Sequence, residues 1–186
     1  MCIPPCDNPL QALVDFVYLD IVNNIDNRRI FEEKPILAPT LDYVEHVNEY
    51  VLSLIQGEAK EYLSSDTACK SDKDYDIQGD WCTTKFLNDI KCSGIPNHRL
   101  ILKTRVPVML LRNIDQASGL CNGTRLRVDH LGENIITATV ITGKGTGQKV
   151  LIPRMDLVPT DSGFPFKFSR RQFPVSLYFA MTINKS

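Results

Sequence analysis

The sequence predicts an α/β protein that carries a small β-barrel. Three observations lead there. Pro35-Ile36-Leu37-Ala38-Pro39-Thr40 is a short apolar run ending in a turn signal, and it passes into a helical stripe of Val44, Val47, Val51, Leu54 and Ile55. Strand–turn–helix is the repeating unit of an α/β domain. Six of the ten glycines fall between residues 119 and 147, among short strand-like segments, which is the pattern of a small barrel. Near the end, Phe173, Val175, Leu177, Phe179 and Met181 recur every second residue, with Tyr178 and Ala180 apolar on the other face. That profile predicts one central strand covered on both sides, presenting Thr182 and Lys185 at its C-terminal end.

The remaining elements follow in order. Leu10, Leu13, Val14, Val17 and Ile21 fall at helical spacing, so residues 9–21 read as a helix with Pro9 in its first turn and Asp7 or Asn8 as cap. Residues 23–34 are a charged connector. Residues 41–55 form the second helix, with Asp42, Glu45 and Glu49 favouring its N-terminal half and Gln56-Gly57 closing it. Residues 61–66 read as a strand and 67–82 as a polar surface loop. Its acidic cluster fails as a calcium loop, because counting from Asp72 the sixth residue is Ile77 and the twelfth is Thr83, where glycine and glutamate are needed. Strands follow at 124–128, 135–141 and 149–152. Leu126 and Val128 alternate with Arg125 and Arg127, so one face is buried and the other charged.

Composition narrows the function classes. Hydrophobic residues at 43% and charged residues at 23% suit an ordinary globular chain with a real core. No apolar run approaches the roughly 18 residues of a membrane helix, and the N-terminus has no secretory pattern. A nuclear or cytoplasmic protein is expected. None of the six cysteines forms a Cys-x-x-Cys pair and the three histidines are scattered, so only Cys2 and Cys6 approach zinc-ligand spacing, and reduced thiols are the simpler account. Asn122-Gly123-Thr124 and Asn184-Lys185-Ser186 fit the glycosylation pattern by chance in the absence of a signal. The net charge of −1 hides a division: residues 1–80 hold 16 acidic and 6 basic residues, residues 81–186 hold 6 and 15. A basic second half suits a polyanionic partner, or is a plain solvated face.

Several motifs carry candidate chemistry. Gly119-Leu120-Cys121-Asn122-Gly123-Thr124-Arg125-Leu126 offers an Asn-Gly turn whose backbone N–H groups could meet an anion beside Arg125, or is an ordinary hairpin turn. Gly143-Lys144-Gly145-Thr146-Gly147-Gln148-Lys149 imitates a phosphate-cradling loop, but it lacks Gly-Lys-Ser/Thr and has strands on both sides, so it reads as a hairpin. Lys167, Arg170 and Arg171 interleave with Phe166, Phe168 and Phe173; either the whole cluster grips phosphates and stacks bases, or the phenylalanines are core and the cations face solvent.

Arg170-Arg171-Gln172-Phe173-Pro174 followed by Ala180-Met181-Thr182-Ile183-Asn184-Lys185-Ser186 resembles the late part of Pif-type (petite-integration-frequency) DNA helicases, especially the Helitron-related plant forms. The resemblance runs from about Pro9 to Ser186. It implies a partial RecA-like second motor lobe over residues 1–83, an inserted Src-homology-3-like 2B barrel over 84–169, and a returning strand over 170–186. It also implies a segment of an ATP-dependent, 5′ to 3′ helicase working in repair, recombination, telomere maintenance or Helitron transposition. Single-stranded DNA is the implied partner, with contacts expected from Thr40, Asn48, Asn122, Gly123, Arg125, Arg170, Arg171, Thr182 and Lys185. Leu41 stands where the family has asparagine, and Arg105 where it usually has a turn glycine, so positive φ there implies strain.

In the family the lysine–serine pair is followed by Gln-Gly-Gln and the rest of the lobe, so the chain is expected to be an internal slice, completed by an N-terminal lobe. ATP and Mg²⁺ serve the intact family. This sequence has no Walker lysine, acidic metal motif or arginine finger, so no cofactor and no catalytic residue is expected in it. The rival readings are a stand-alone nucleic-acid-binding module and a non-functional remnant.

Overall fold

The computed structural model describes residues 8–25, 27, 30–31, 35–69, 83–143, 145–159, 164 and 166–182. Lys185, Asn184, Cys2, Cys6 and the acidic 72–76 cluster lie outside them.

Helix α1 (Pro9–Val17) begins where Asn8 accepts a hydrogen bond from Gln11 N–H at 3.2 Å. It stops four residues short of the expected end. Tyr18 leaves the helix and turns inward, donating its hydroxyl to Phe179 O at 2.7 Å, and Asp20 adopts φ 51 before a short α2 (Ile21–Asn24). The apolar stripe continues through this break, which is why spacing alone joined the two.

Strand β1 (Ile36–Ala38) leads into α3 (Leu41–Leu54), capped by Thr40 Oγ1 accepting from Tyr43 N–H at 3.4 Å. Lys103 closes the other end, donating to Leu52 O and Ile55 O at 3.0 and 2.6 Å. The single strand expected at 61–66 is two strands, β2 (Lys60–Leu63) and β3 (Ser65–Ala68), which part at Ser64 to join different sheets. A short α4 (Thr84–Asp89), capped by Thr83, was not anticipated.

Next come β4 (Arg99–Leu102), β5 (Pro107–Leu110), β6 (Arg125–Leu131), β7 (Ile135–Val140), β8 (Lys149–Pro153) and β9 (Met155–Leu157), then β10 (Phe168–Gln172), β11 (Val175–Leu177) and β12 (Ala180–Thr182). The main sheet is antiparallel in the order β11-β5-β6-β7-β8. Its inner row of Val108, Leu110, Leu126, Val128, Ile136 and Ala138 is fully buried, so the alternation predicted for β6 holds. Arg105, in the turn before β5, has φ 71, the strained conformation foreseen for a non-glycine there.

The terminal stretch departs from expectation. It is not one strand: β11 joins the barrel sheet through β5, and β12 pairs parallel with β1. A bend at Phe179 separates the two strands, so the sequence alternation runs on while the hydrogen-bond partners change. Helical residues Val14, Val51 and Leu52 share one core with the barrel residues Val108, Val128 and Ile136. A second cluster of Leu87, Ile90, Ile95, Leu157 and Phe168 lies under α4.

Candidate nucleic-acid interface

Parallel pairing sets Ala38 beside Thr182, so Thr40 and Thr182 emerge at the same C-terminal strand ends. Below them a cleft of about 180 Å³ opens between one face of α3, the 91–97 loop and the strands β5, β11 and β12. Asn48 and Thr182 both line it, although 134 positions of sequence separate them.

Asn48 is not available to a ligand. It is buried, its Oδ1 accepts from Phe179 N–H at 3.1 Å and Ala180 N–H at 2.9 Å, and its Nδ2 reaches Leu177 O at 3.4 Å. The structure therefore corrects its expected role from DNA contact to the amide that positions β12. Across the cleft mouth, Glu45 accepts from Asn97 Nδ2 at 2.9 Å and from Lys91, and Asp42 adds a second carboxylate near the same ammonium. The Glu45 hydrogen bond holds Lys91 above its usual pKa, and burial pushes the Cys92 thiol up against the lowering effect of Arg170.

Tyr178 packs against Met109, Leu111 and Met181, which line the cleft, and the Arg125 guanidinium lies 4.6 Å from its ring centroid. Burial raises the Tyr178 pKa, partly opposed by Arg125. Arg125 thus stacks on the ring that backs these lining residues.

Asn122 and Gly123 form the expected tight turn, with φ 87 at Gly123. Its amides do not face an anion. Asn122 N–H donates to Asn113 Oδ1, Gly123 N–H to Leu110 O, Cys121 N–H to Thr124 Oγ1 and Thr124 N–H to Cys121 O. The backbone cradle is closed by the protein's own acceptors, which leaves the exposed Asn122 side chain as the turn's outward group.

Arg170 is the clearest correction. Both sequence readings placed its charge in solvent, yet it is 0% exposed. Nε and Nη2 donate to Asp66 at 3.0 and 2.7 Å, Nη2 also to Leu87 O at 2.7 Å, and Nη1 to Ile90 O and Pro96 O at 3.0 and 3.1 Å. All five N–H groups are used, so none remains for phosphate. Phe168 and Phe173 are buried as one reading held. Arg171, next along β10, is exposed and pairs with Asp156 at 3.2 Å.

Asp66 was missed by sequence reasoning, as was the chain behind it. Ser64 Oγ donates to Asp66 Oδ1 at 2.6 Å, so its contact to His98 Nδ1 at 2.8 Å makes that nitrogen the donor. The signal was present: Phe168, Arg170 and Gln172 share the inward phase of β10.

Residues 85–131, spanning α4 to β6, match the family model described as DNA helicase Pif1, 2B domain. The fold is that of a Pif1-type helicase segment. Pif1 helicase from Candida albicans aligns over 91% of this chain and 44% of its own length, with a TM-score of 0.55 and 22% identity. Unliganded Pif1 from Bacteroides sp aligns over 82% and 42%, with a TM-score of 0.54 and 22% identity. Bacteroides Pif1 bound to single-stranded DNA aligns over 90% and 39%, with a TM-score of 0.54 and 21% identity. The chain spans less than half the length of these Pif1 structures. No curated protein matches it by sequence. Among the described residues no helix is long and apolar enough to cross a membrane.

Proposed function

We propose that this chain supplies part of the DNA track of an ATP-dependent, 5′ to 3′ Pif-type helicase. Residues 1–83 and 170–186 belong to the second motor lobe on this reading and residues 84–169 to the 2B insertion. The Helitron-related motifs at the C-terminal end suggest the subgroup. A separate N-terminal lobe completes the motor, and repair, recombination, telomere maintenance or transposition are the processes such a motor serves.

The observation that carries this reading is the convergence of Thr40 and Thr182 at parallel strand ends beside a cleft that Thr182 lines, with Arg125 stacked on Tyr178 behind the lining residues Met109 and Met181. Hydroxyls and cations at such an edge hold a sugar–phosphate backbone without reading its sequence. Lys185 and Arg171 extend the proposed contact set, and the exposed Asn122 side chain completes it. Arg170 and Asn48 act behind the surface.

Nucleotide chemistry is placed elsewhere in the motor. The glycine-rich 143–149 segment joins β7 to β8 and so turns strand to strand, whereas a phosphate cradle opens a helix. On this reading ATP and Mg²⁺ are held by the rest of the motor. The purified chain is expected to bind a fluorescein-labelled oligothymidylate with affinity that falls steeply with salt, to bind it more weakly as Lys185→Ala or Arg171→Ala, and to show no DNA-stimulated ATP turnover. Absent or salt-insensitive binding rejects the DNA-track role, and ATP turnover by the chain alone rejects the division of labour.

A further inference from the structure

We propose that the cleft beside α3 receives a single unstacked base of the DNA strand while the phosphates stay outside. This deepens the DNA-track reading and rests on it.

Size is the first argument. At about 180 Å³ the cleft is smaller than the roughly 300 Å³ at which pockets begin to hold drug-sized ligands, so it has room for one flat ring rather than a nucleotide. Its lining is the second. Val44, Met109, Leu111, Leu177 and Met181 supply apolar walls, and thioethers adapt well to an aromatic ring.

Charge is the third. The α3 wall carries Glu45 and Glu49, while the cleft's cations Lys91 and Arg99 already pair with Glu45 and Glu61. A phosphate entering would meet carboxylates, and a neutral base would not. Thr182 on the cleft lining, with Thr40 beyond the neighbouring strand end, suits the backbone left outside. The Asn48 Oδ1 is committed to Phe179 and Ala180, so it does not accept a hydrogen bond from a base edge.

The test compares an oligothymidylate with an oligomer of the same length and charge whose sugars are abasic, both binding the full 186-residue chain. Binding of the abasic strand is expected to be about tenfold weaker. Equal binding overturns the base pocket while leaving the DNA-track reading intact; binding of neither rejects that reading and the pocket with it.

Stacking elsewhere is separated by Ser176→Trp, which fills the cleft from its sheet wall. It is expected to lower thymidylate affinity to the abasic level and to leave abasic binding alone. Thymidylate affinity unchanged in a folded Ser176→Trp overturns the proposal. A measurement without any variant guards against misfolding. Cys92 lines the cleft, so its site-resolved alkylation is expected to slow with oligothymidylate and not with the abasic strand. Equal rates with both strands overturn the pocket.

Discussion

The β5–β8 sheet and the β1–β12 pair are built by opposite means. The sheet is antiparallel, its neighbours β5 to β8 are consecutive in the chain, and its inner face is apolar throughout. The pair is parallel, three residues long, and joins segments 144 positions apart. A parallel contact of that length cannot specify itself against the entropy of closing so long a loop. It is held by polar anchors from outside, the Asn48 amide accepting from Ala180 N–H and the Tyr18 hydroxyl donating to Phe179 O, alongside the pair's own bond from Ile36 N–H to Phe179 O. The proposed DNA-holding edge thus depends on a few hydrogen bonds, while the barrel depends on packing. The two regions should therefore fail differently.

The largest effect is expected where they are joined. Arg170 lies just before the segment that feeds both, and ties β10 to β3, α4 and the 91–97 loop. Asp66→Ala leaves that guanidinium buried without its carboxylate and should cost about 3–5 kcal/mol in urea unfolding. Arg170→Met combined with Asp66→Leu should cost less than the single change, because no buried charge is stranded. A single variant with wild-type stability would remove the hub from this account.

Asn48→Ala comes next. It strands two buried backbone N–H groups, each worth about 1–3 kcal/mol, with relaxation and water recovering part. A net loss of about 2–3 kcal/mol is expected. Hydrogen exchange locates it: Phe179 and Ala180 should lose protection while Leu126 and Val128 keep theirs. Uniform loss across both regions would show that the β1–β12 pair has no separate stability.

The same contrast explains what could be read from sequence. In β6, burial alternates with Leu126 and Val128 inward, and both signal and partner strands are local, so the element was legible. The terminal segment has as clean an alternation, yet the strand breaks after Leu177. Period two reports an extended backbone and is blind to which sheet it joins. Arg170 shows the complementary failure. Its phase with Phe168 and Gln172 put it inside, but a cation seemed to belong in water, and its partner Asp66 is 104 residues away. The Asn122-Gly123 turn was found, but not the Asn113 side chain that consumes its amide. Local geometry was legible, and the assignment of polar groups to distant partners was not.

A smaller effect is expected inside the barrel. Arg105 holds φ 71 while its N–H donates to Val128 O at 2.7 Å, so the left-handed conformation is fixed by the ladder. Arg105→Gly should relieve about 1 kcal/mol of strain, less the entropy glycine adds to the unfolded chain and the contacts the side chain makes. Arg105→Ala removes the same side chain and keeps the strain, so a higher melting temperature for glycine than for alanine isolates the backbone term. Equal melting would mean the turn relaxes without cost.

The smallest expected effect lies on the seam where the β2–β4 pair meets the barrel sheet. Lys60, on β2, pairs with Glu133 at 2.5 Å and donates to Leu131 O at 3.2 Å, bridging to the β6–β7 turn. The Lys60 hydrogen bond, then its charge, hold the Glu133 carboxyl below its usual value. A lowered carboxyl pKa stabilises the fold above the ordinary glutamate value of about 4.3 and loses that contribution as pH falls through the lowered one. Glu133 is fully exposed, so the increment is small and salt should screen it. Lys60→Met should flatten the acid limb of the melting curve slightly, and high salt should flatten the wild type in the same way. If instead the variant melts far lower at neutral pH, the Leu131 contact and the buried Tyr62 beside it carry this seam, and the β2–β4 pair is joined to the barrel by packing rather than by charge.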